Sequence, residues 1–309
     1  MISIAMGTYN GAKYLREQID SILAQTIQDF ELIVCDDCSS DETWDILKQY
    51  SDADKRIKVF QNESNLGFKR NFEKAMLLCS GEYIALSDQD DIWLPDHLEI
   101  LLNNMGDSML SAGNSELVDG KGDKIGLKLN EMESLAVFSD NSNSRALSFF
   151  LFRNPIQGAS MIIRRDFLSV ALPIPDDVNY HDAWFSCLSC FYGNQNYTFR
   201  VVTNYRMHEH NVTGHRVKPK SRVRHLCRSL LFDSPNDRKA MIRTIRKRVD
   251  NLTNTQVNTL DLLDRILKRN KSFIGRIQNA LFRISHFRII YSIFIYRDCG
   301  CKFSCFFRK

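Results

Sequence analysis

The stretch Glu82-Tyr83-Ile84-Ala85-Leu86-Ser87-Asp88-Gln89-Asp90-Asp91-Ile92-Trp93 decides how the rest of the chain is read. Tyr83 to Leu86 is an apolar run with aromatic and β-branched members, the pattern of a short buried strand. It stops on three carboxylates, Asp88, Asp90 and Asp91. Like charges this close repel, and a buried one needs a partner. Such a strand end calls for a divalent cation, and hard oxygen ligands suit Mg²⁺ or Mn²⁺. Ligands of an open α/β sheet bind beyond the carboxyl ends of its strands, which is where this cluster falls. The competing reading is a solvated acidic turn leading into a helix near Pro95 and Asp96.

The same grammar recurs upstream. Ser3 to Met6 is a strand that ends on Gly7-Thr8-Tyr9-Asn10-Gly11, and Leu15, Ile19, Ile22 and Leu23 follow at helical spacing. Phe30 to Cys35 is a second strand ending on Asp36-Asp37; Ser39 and Glu42 have the spacing of a capping box for a helix through Trp44, Leu47 and Tyr50. Ile57 to Phe60 is a third strand, then the turn Asn65-Leu66-Gly67 and a helix with Phe68, Phe72, Met76 and Cys79 on one face. Four strand–helix alternations with short loops predict βα units and a mostly parallel sheet flanked by helices. No G-x-G-x-x-G or G-x-x-x-x-G-K-[ST] follows the first strand, which disfavours dinucleotide dehydrogenases and P-loop enzymes.

With 309 residues and 44% hydrophobic content the chain can build one large or two modest domains. Its start lacks the basic n-region of a signal peptide, so no leader is expected. No apolar run approaches the ~20 residues that span a bilayer. Nine cysteines without a disulfide-scaffold spacing predict free thiols in a reducing cytosol. Cys35/Cys38 and Cys187/Cys190 are Cys-x-x-Cys pairs, but Cys35 sits in a strand pattern and ordinary thiols fit better than zinc. The net charge of +4 hides an asymmetry: residues 1–214 hold 18 Lys and Arg against 31 Asp and Glu, and residues 215–309 hold 23 against 6. That split predicts an acidic, metal-using domain over 1–214 and a basic helical tail over 215–309 that meets something anionic.

Three further stretches carry chemistry. Gly158, in Asn154-Pro155-Ile156-Gln157-Gly158, either lets backbone approach a ligand, adopts positive φ, or makes a tight turn. Asp182 opens an aromatic helix as Tyr180-His181-Asp182-Ala183-Trp184, where it is a reactive carboxylate or an N-cap. Tyr205-Arg206-Met207-His208-Glu209-His210 is dense in side chains that bind metal and phosphate.

Taken in order, Thr8-Tyr9-Asn10, Asp36-Asp37-x-Ser39-x-Asp41-x-Thr43, Asn65-x-Gly67, Asp88-x-Asp90-Asp91 and His181-Asp182 resemble family 2 inverting glycosyltransferases of the GT-A fold. Ser87 to Trp93 and Tyr205-Arg206-x-His208 look like bacterial rhamnosyltransferase-type members that build surface polysaccharide. The resemblance covers about residues 1 to 214. It implies that Tyr9 stacks on a pyrimidine whose N3–H meets Asp37, with Thr8, Asn10, Asn65 and Gly158 also in the nucleotide-sugar site. It implies Asp88 at the ribose, Asp90 on the metal, His208 within reach of the metal or the diphosphate, and Asp182 as catalytic base. His181 departs from the family's usual Glu at that place.

The expected activity is inverting transfer from a UDP- or dTDP-sugar to a hydroxyl of a glycan or lipid-linked saccharide acceptor, with Mg²⁺ or Mn²⁺. A non-catalytic sugar-nucleotide or polyanion-binding protein on this fold and a nucleotidyltransferase are the alternatives. In the tail, basic clusters alternate with apolar positions Ile274, Ile277, Leu281, Ile284 and Tyr291. This pattern predicts a cytoplasmic enzyme held at the anionic inner face of the plasma membrane. Nucleic acid is the less favoured partner, and a helical cap on the core the bland alternative.

Overall fold

The computed structural model describes residues 1–129, 156–209, 211 and 235–269. Strand β1 (Ile2–Thr8) lies between β2 (Phe30–Asp36) and β4 (Tyr83–Ser87), and β2 pairs with β3 (Ile57–Gln61), all parallel. Both faces of β1 and β2 are covered, which explains their near-continuous apolar sequences. Ile4 and Met6 point into one core with Leu15, Ile19 and Ile22 of α1 (Ala12–Leu23) and Leu47 of α2 (Thr43–Ala53). Ala5 points the other way, to Phe72 and Met76 of α3 (Phe68–Leu78).

The predicted capping box is not what starts α2. Asp41 Oδ1 accepts from the Thr43 N–H at 3.0 Å, while the Ser39 hydroxyl turns to Asp36. The carboxylates of this loop outcompete Glu42 for the local donors.

Beyond β4 the chain adds β5 (Ile92–Trp93), α4 (His97–Met105), β6 (Leu110–Val118), β7 (Lys124–Lys128), β8 (Met161–Arg164) and β9 (Gln195–Arg206). Among the described residues one sheet has the order β3-β2-β1-β4-β8-β6-β9-β5, with β7 on β6. The first four strands are parallel, as the βα pattern predicts. The rest is mixed: β8 runs antiparallel to β4 and β6, β5 antiparallel to β9, and β6 parallel to β9. In a flat sheet β5 would lie about 19 Å from β4. The chain from Ser87 to Ile92 reaches at most about 17 Å, so the sheet curls. The acidic motif bridges that curl.

Helices α5 (Leu168–Ala171) and α6 (His181–Ser189) cover the α3 face. Two helices of the basic segment, α7 (Pro235–Arg248) and α8 (Asn254–Arg269), join the same core. Ile245, Leu260 and Leu263 are buried with Trp184 and Phe185 of α6. Arg248 donates to the Val170 and Ala171 carbonyls, each at 3.1 Å, and lies over the Trp184 ring. These helices pack against the core, which is the helical-cap alternative for this part of the basic segment. The expected boundary at residue 214, the stripe from Ile274 to Tyr291 and the last forty residues lie outside the described residues. Among the described residues no helix is long and apolar enough to cross a membrane. Cys35, Cys79, Cys187 and Cys190 are buried cysteines outside any disulfide, and Cys38 is an exposed one.

Candidate active site

Parallel pairing puts the ends of β1, β2 and β4 on one edge, with Thr8 in register with Asp36 and Met6 with Ser87. The two aspartates at the end of β2 do different work. Asp36 is fully buried and structural: it accepts from the Thr8 hydroxyl at 3.0 Å and from the Ser39 N–H at 3.0 Å. Thr8 therefore acts on the site through Asp36. Asp37 accepts from Asn62 Nδ2 and the Leu66 N–H through Oδ1, and from the Gly67 N–H through Oδ2, each at 2.8 Å. A carboxylate offers about four acceptor positions, so one on Oδ2 is left for a ligand. Asn65 turns its own loop, accepting from the Gly67 N–H at 3.0 Å, and Gly67 has φ +81.

Tyr9 and Asn10 project from the β1–α1 turn. Tyr9 is 49% exposed, as a ring that stacks on a ligand must be. Asn10, at φ 49, accepts from the Ser40 N–H and donates its own N–H to Ser39. Gln89 clamps the same turn: its Oε1 accepts from the Tyr9 N–H at 2.8 Å and its Nε2 donates to the Tyr9 carbonyl at 3.0 Å. A Cβ on Gly11 would lie 2.2 Å from Gln89 Oε1, so only glycine fits beside the clamp. Gln89 was not among the site residues expected from the sequence. Its position between Asp88 and Asp90 was the available signal.

The β5–β9 pairing, Ile92 with Asn204 and Trp93 with Thr203, returns the end of β9 to the acidic motif. His208 Nε2 and Asp90 Oδ2 meet at 2.6 Å, 118 positions apart in sequence, with the imidazole beside the Tyr14 ring. Two expectations are corrected here. Asp91 is fully buried and turned away from the cleft; its Oδ1 accepts from the Arg206 N–H at 3.0 Å. Desolvation, then the charges of Asp90 and Asp88, push its carboxyl well above the usual range, which makes it a poor anionic ligand. Arg206 is not a phosphate binder. It is 1% exposed and pairs with Glu17, donates to the Asp90 carbonyl at 2.9 Å and covers the Tyr14 ring. Its work is to hold the acidic loop in place from behind. His210 lies outside the described residues.

Asp182 sits in the first turn of α6, half-buried, where the helix dipole favours negative charge. The helix N-cap is Tyr180, so Asp182 is not the cap; its Oδ1 accepts from the next residue's N–H at 2.6 Å. Its charge reaches Asp88. The Asp88 carboxyl is pushed up to about 7, by desolvation first and then by Asp90 and Asp182. That shared field brings together Asp88, Asp90 and Asp182, which lie on different elements. Gly158 opens a 3-10 turn with no positive φ. A Cβ there would lie 2.7 Å from His181 Nε2, so Gly158 makes room for that ring.

A hard divalent cation fits this donor set. Asp90 and His208 supply one carboxylate oxygen and one imidazole nitrogen side by side, and crowding at Asp88 is the strain a cation relieves. Among the described residues no three His, Cys, Asp or Glu side chains form a metal cluster alone. The site is of the kind that a phosphate-bearing ligand completes.

The sequence profile described as Glycosyl transferase family 2 matches residues 3–169, more than half of the chain. The chain is 37% identical over 121 residues to the Escherichia coli UDP-Glc:alpha-D-GlcNAc-diphosphoundecaprenol beta-1,3-glucosyltransferase WfgD, covering 38% of this chain and 47% of that protein. It spans 35 to 42% of the length of the first curated relatives it matches. In structure it is similar to S. aureus TarS 1-349 in complex with UDP, with TM-score 0.59 and 20% identity over 88% of this chain and 72% of that one. It is also similar to the mannosyltransferase PcManGT from Pyrobaculum calidifontis in complex with GDP-Man and Mn²⁺, with TM-score 0.52 and 14% identity over 96% and 87%. At these identities the structural likeness speaks for the fold.

Proposed function

This chain belongs to glycosyl transferase family 2 and has the GT-A fold, and from that premise we propose that it catalyses inverting sugar transfer in bacterial surface polysaccharide synthesis. The donor is a UDP- or dTDP-linked sugar and the acceptor a hydroxyl of a glycan or lipid-linked saccharide. The observation that carries the reading is the convergence of Asp90 and His208 at 2.6 Å in a cleft where Asp182 raises the carboxyl of Asp88.

Each group then has one task. Tyr9 stacks on the base, and the remaining acceptor position of Asp37 takes its N3–H. Asp88 turns to the ribose, and Asn10, Asn65 and Gly158 shape the surrounding loops. Asp90 and His208 would hold Mg²⁺ or Mn²⁺, which when bound supplies Lewis-acid compensation for charge growing on the leaving β-phosphate. Asp182 takes the proton of the attacking hydroxyl, which bonds to the anomeric carbon as the nucleoside diphosphate departs from the opposite face. One carboxylate suffices because no covalent intermediate forms.

We further propose that residues 1–214 carry the transferase machinery, and that the basic segment beyond them holds a cytoplasmic enzyme to the anionic inner membrane face. Support for the second part is the charge of that segment. The test of the activity is a panel of nucleotide sugars incubated with Mn²⁺ or Mg²⁺ and scored for nucleoside diphosphate release. Turnover of a uridine or thymidine donor that stops with chelator is expected. Release indifferent to metal, or absent for every donor, defeats the proposal.

A further inference from the structure

We propose that Phe68 and Tyr180 form a stacking platform for a pyranose ring of the acceptor saccharide. The inference rests on the reading of Asp182 as the base. Phe68 is 39% and Tyr180 37% exposed, with ring centroids 6.3 Å apart and planes 32° apart. Single exposed apolar side chains are ordinary, but two adjoining aromatic rings at the mouth of a site call for a ligand.

Their placement says which one. Phe68 opens α3 directly after Gly67, whose N–H is bound to Asp37; Tyr180 directly precedes His181 and Asp182. The pair thus lies between the nucleotide loop and the base. The two rings are fastened to each other from below. Lys69 Nζ donates to the carbonyls of Pro175, Asp176 and Val178 at 3.1, 2.9 and 2.9 Å, and Arg70 donates to Ile174 at 3.2 Å. The segment leading to Tyr180 is therefore tied to the helix that carries Phe68. Behind them His181 is 7% exposed, 6.3 Å ring to ring from Phe68 and 4.5 Å from Phe72. Neither of its ring nitrogens has a hydrogen-bond partner among the described residues. The apolar platform stands beside the carboxylate of Asp182, a pairing suited to a ligand with both characters.

A pyranose has both. Its face of axial C–H groups is apolar and slightly positive, and an aromatic face is negative. Its hydroxyls lie around the edge, free for Asp182 to deprotonate one. Aromatic side chains with a few polar groups are the usual lining of such sites. A nucleobase is the weaker occupant, because exposed Tyr9 already serves one beside Asp37.

The test is saturation-transfer NMR on the full-length protein with UDP and Mg²⁺. The probes are methyl β-D-glucopyranoside, methyl N-acetyl-β-D-glucosaminide and methyl α-L-rhamnopyranoside. At least one should show transfer to its ring C–H protons. The signal should fall about fivefold in Phe68→Ala and in Tyr180→Ala, the size of an aromatic-face contact, and persist in Tyr180→Phe. UDP affinity should stay as in wild type for all three. Equal signals in wild type and alanine variants overturn the platform, as does silence from every probe. A loss of UDP affinity in the variants also overturns it, since the rings then serve the nucleotide. Wild-type protein that binds neither UDP nor dTDP overturns the donor reading itself; if it binds only dTDP, dTDP replaces UDP throughout the test. If Phe68→Ala does not fold, Tyr180→Ala decides.

Discussion

Gln89 and Tyr9 exchange two hydrogen bonds, N–H to Oε1 at 2.8 Å and Nε2–H to the carbonyl at 3.0 Å. The acidic loop after β4 and the β1–α1 turn are thereby tied into one unit. Replacing Gln89 by Ala should weaken UDP binding roughly tenfold, since one or two partly exposed hydrogen bonds contribute about 1–2 kcal/mol. Gly11→Ala should do the same by displacing Gln89. Calorimetry with UDP checks both, and unchanged affinity in the two variants would detach Gln89 from donor binding.

Asp90→Asn should abolish metal-dependent turnover with the melting temperature nearly unchanged, because an anionic ligand is lost and not a shape. His208→Ala should be milder, leaving Asp90 in place. Metal titration of turnover separates them. An Asp90→Asn enzyme with more than about a tenth of wild-type activity would remove Asp90 from the metal site.

Asp182→Asn should keep nucleotide affinity and lower transfer by about 10²–10⁴-fold, the usual contribution of a positioned base. The variant's amide preserves its place in the first turn of α6. If UDP binding collapses as well, Asp182 belongs to the donor site and the base lies elsewhere.

Glu31 sets a stability limit at acid pH. Burial raises its carboxyl pKa, but hydrogen bonds from Lys58, Ser3 and Ser80 outweigh that and bring it down to about 2, from an ordinary 4.5. The folded state thus favours the ionised form. This stabilisation is complete above about pH 4.5 and is lost as pH falls towards 2, amounting to about 3 kcal/mol. Glu31→Gln should lower stability at pH 7 and flatten its decline between pH 5 and 2. Denaturant melts across that window measure it, and parallel curves for the two proteins would refute the assignment.

Ile245 of α7 is fully buried against the α6 face. Ile245→Ala should destabilise the whole protein by about 2–5 kcal/mol, in one cooperative transition. A variant that unfolds α7 and α8 separately, leaving the sheet's melting point unchanged, would restore the picture of an independent tail.

The local grammar of the chain was enough for the first half of the fold. Alternating strand and helix periodicities, with carboxylates at the strand ends, place Thr8, Asp37 and Asp88 on one sheet edge, because parallel βα units leave no other arrangement. The side chains at risk of misreading were those whose environment is non-local. Nothing near Asp91 in sequence shows that it turns inward to the Arg206 N–H while its neighbour Asp90 turns out. Nothing near Arg206 shows that Glu17 and the Tyr14 ring wait for it across the curl. The same holds for α7 and α8, whose basic composition reads as a free surface although their apolar stripe is buried on α6. Sequence spacing reports which residues share a strand end or a helix face. Only the pairing of β5 with β9, formed between segments over a hundred residues apart, decides that His208 meets Asp90.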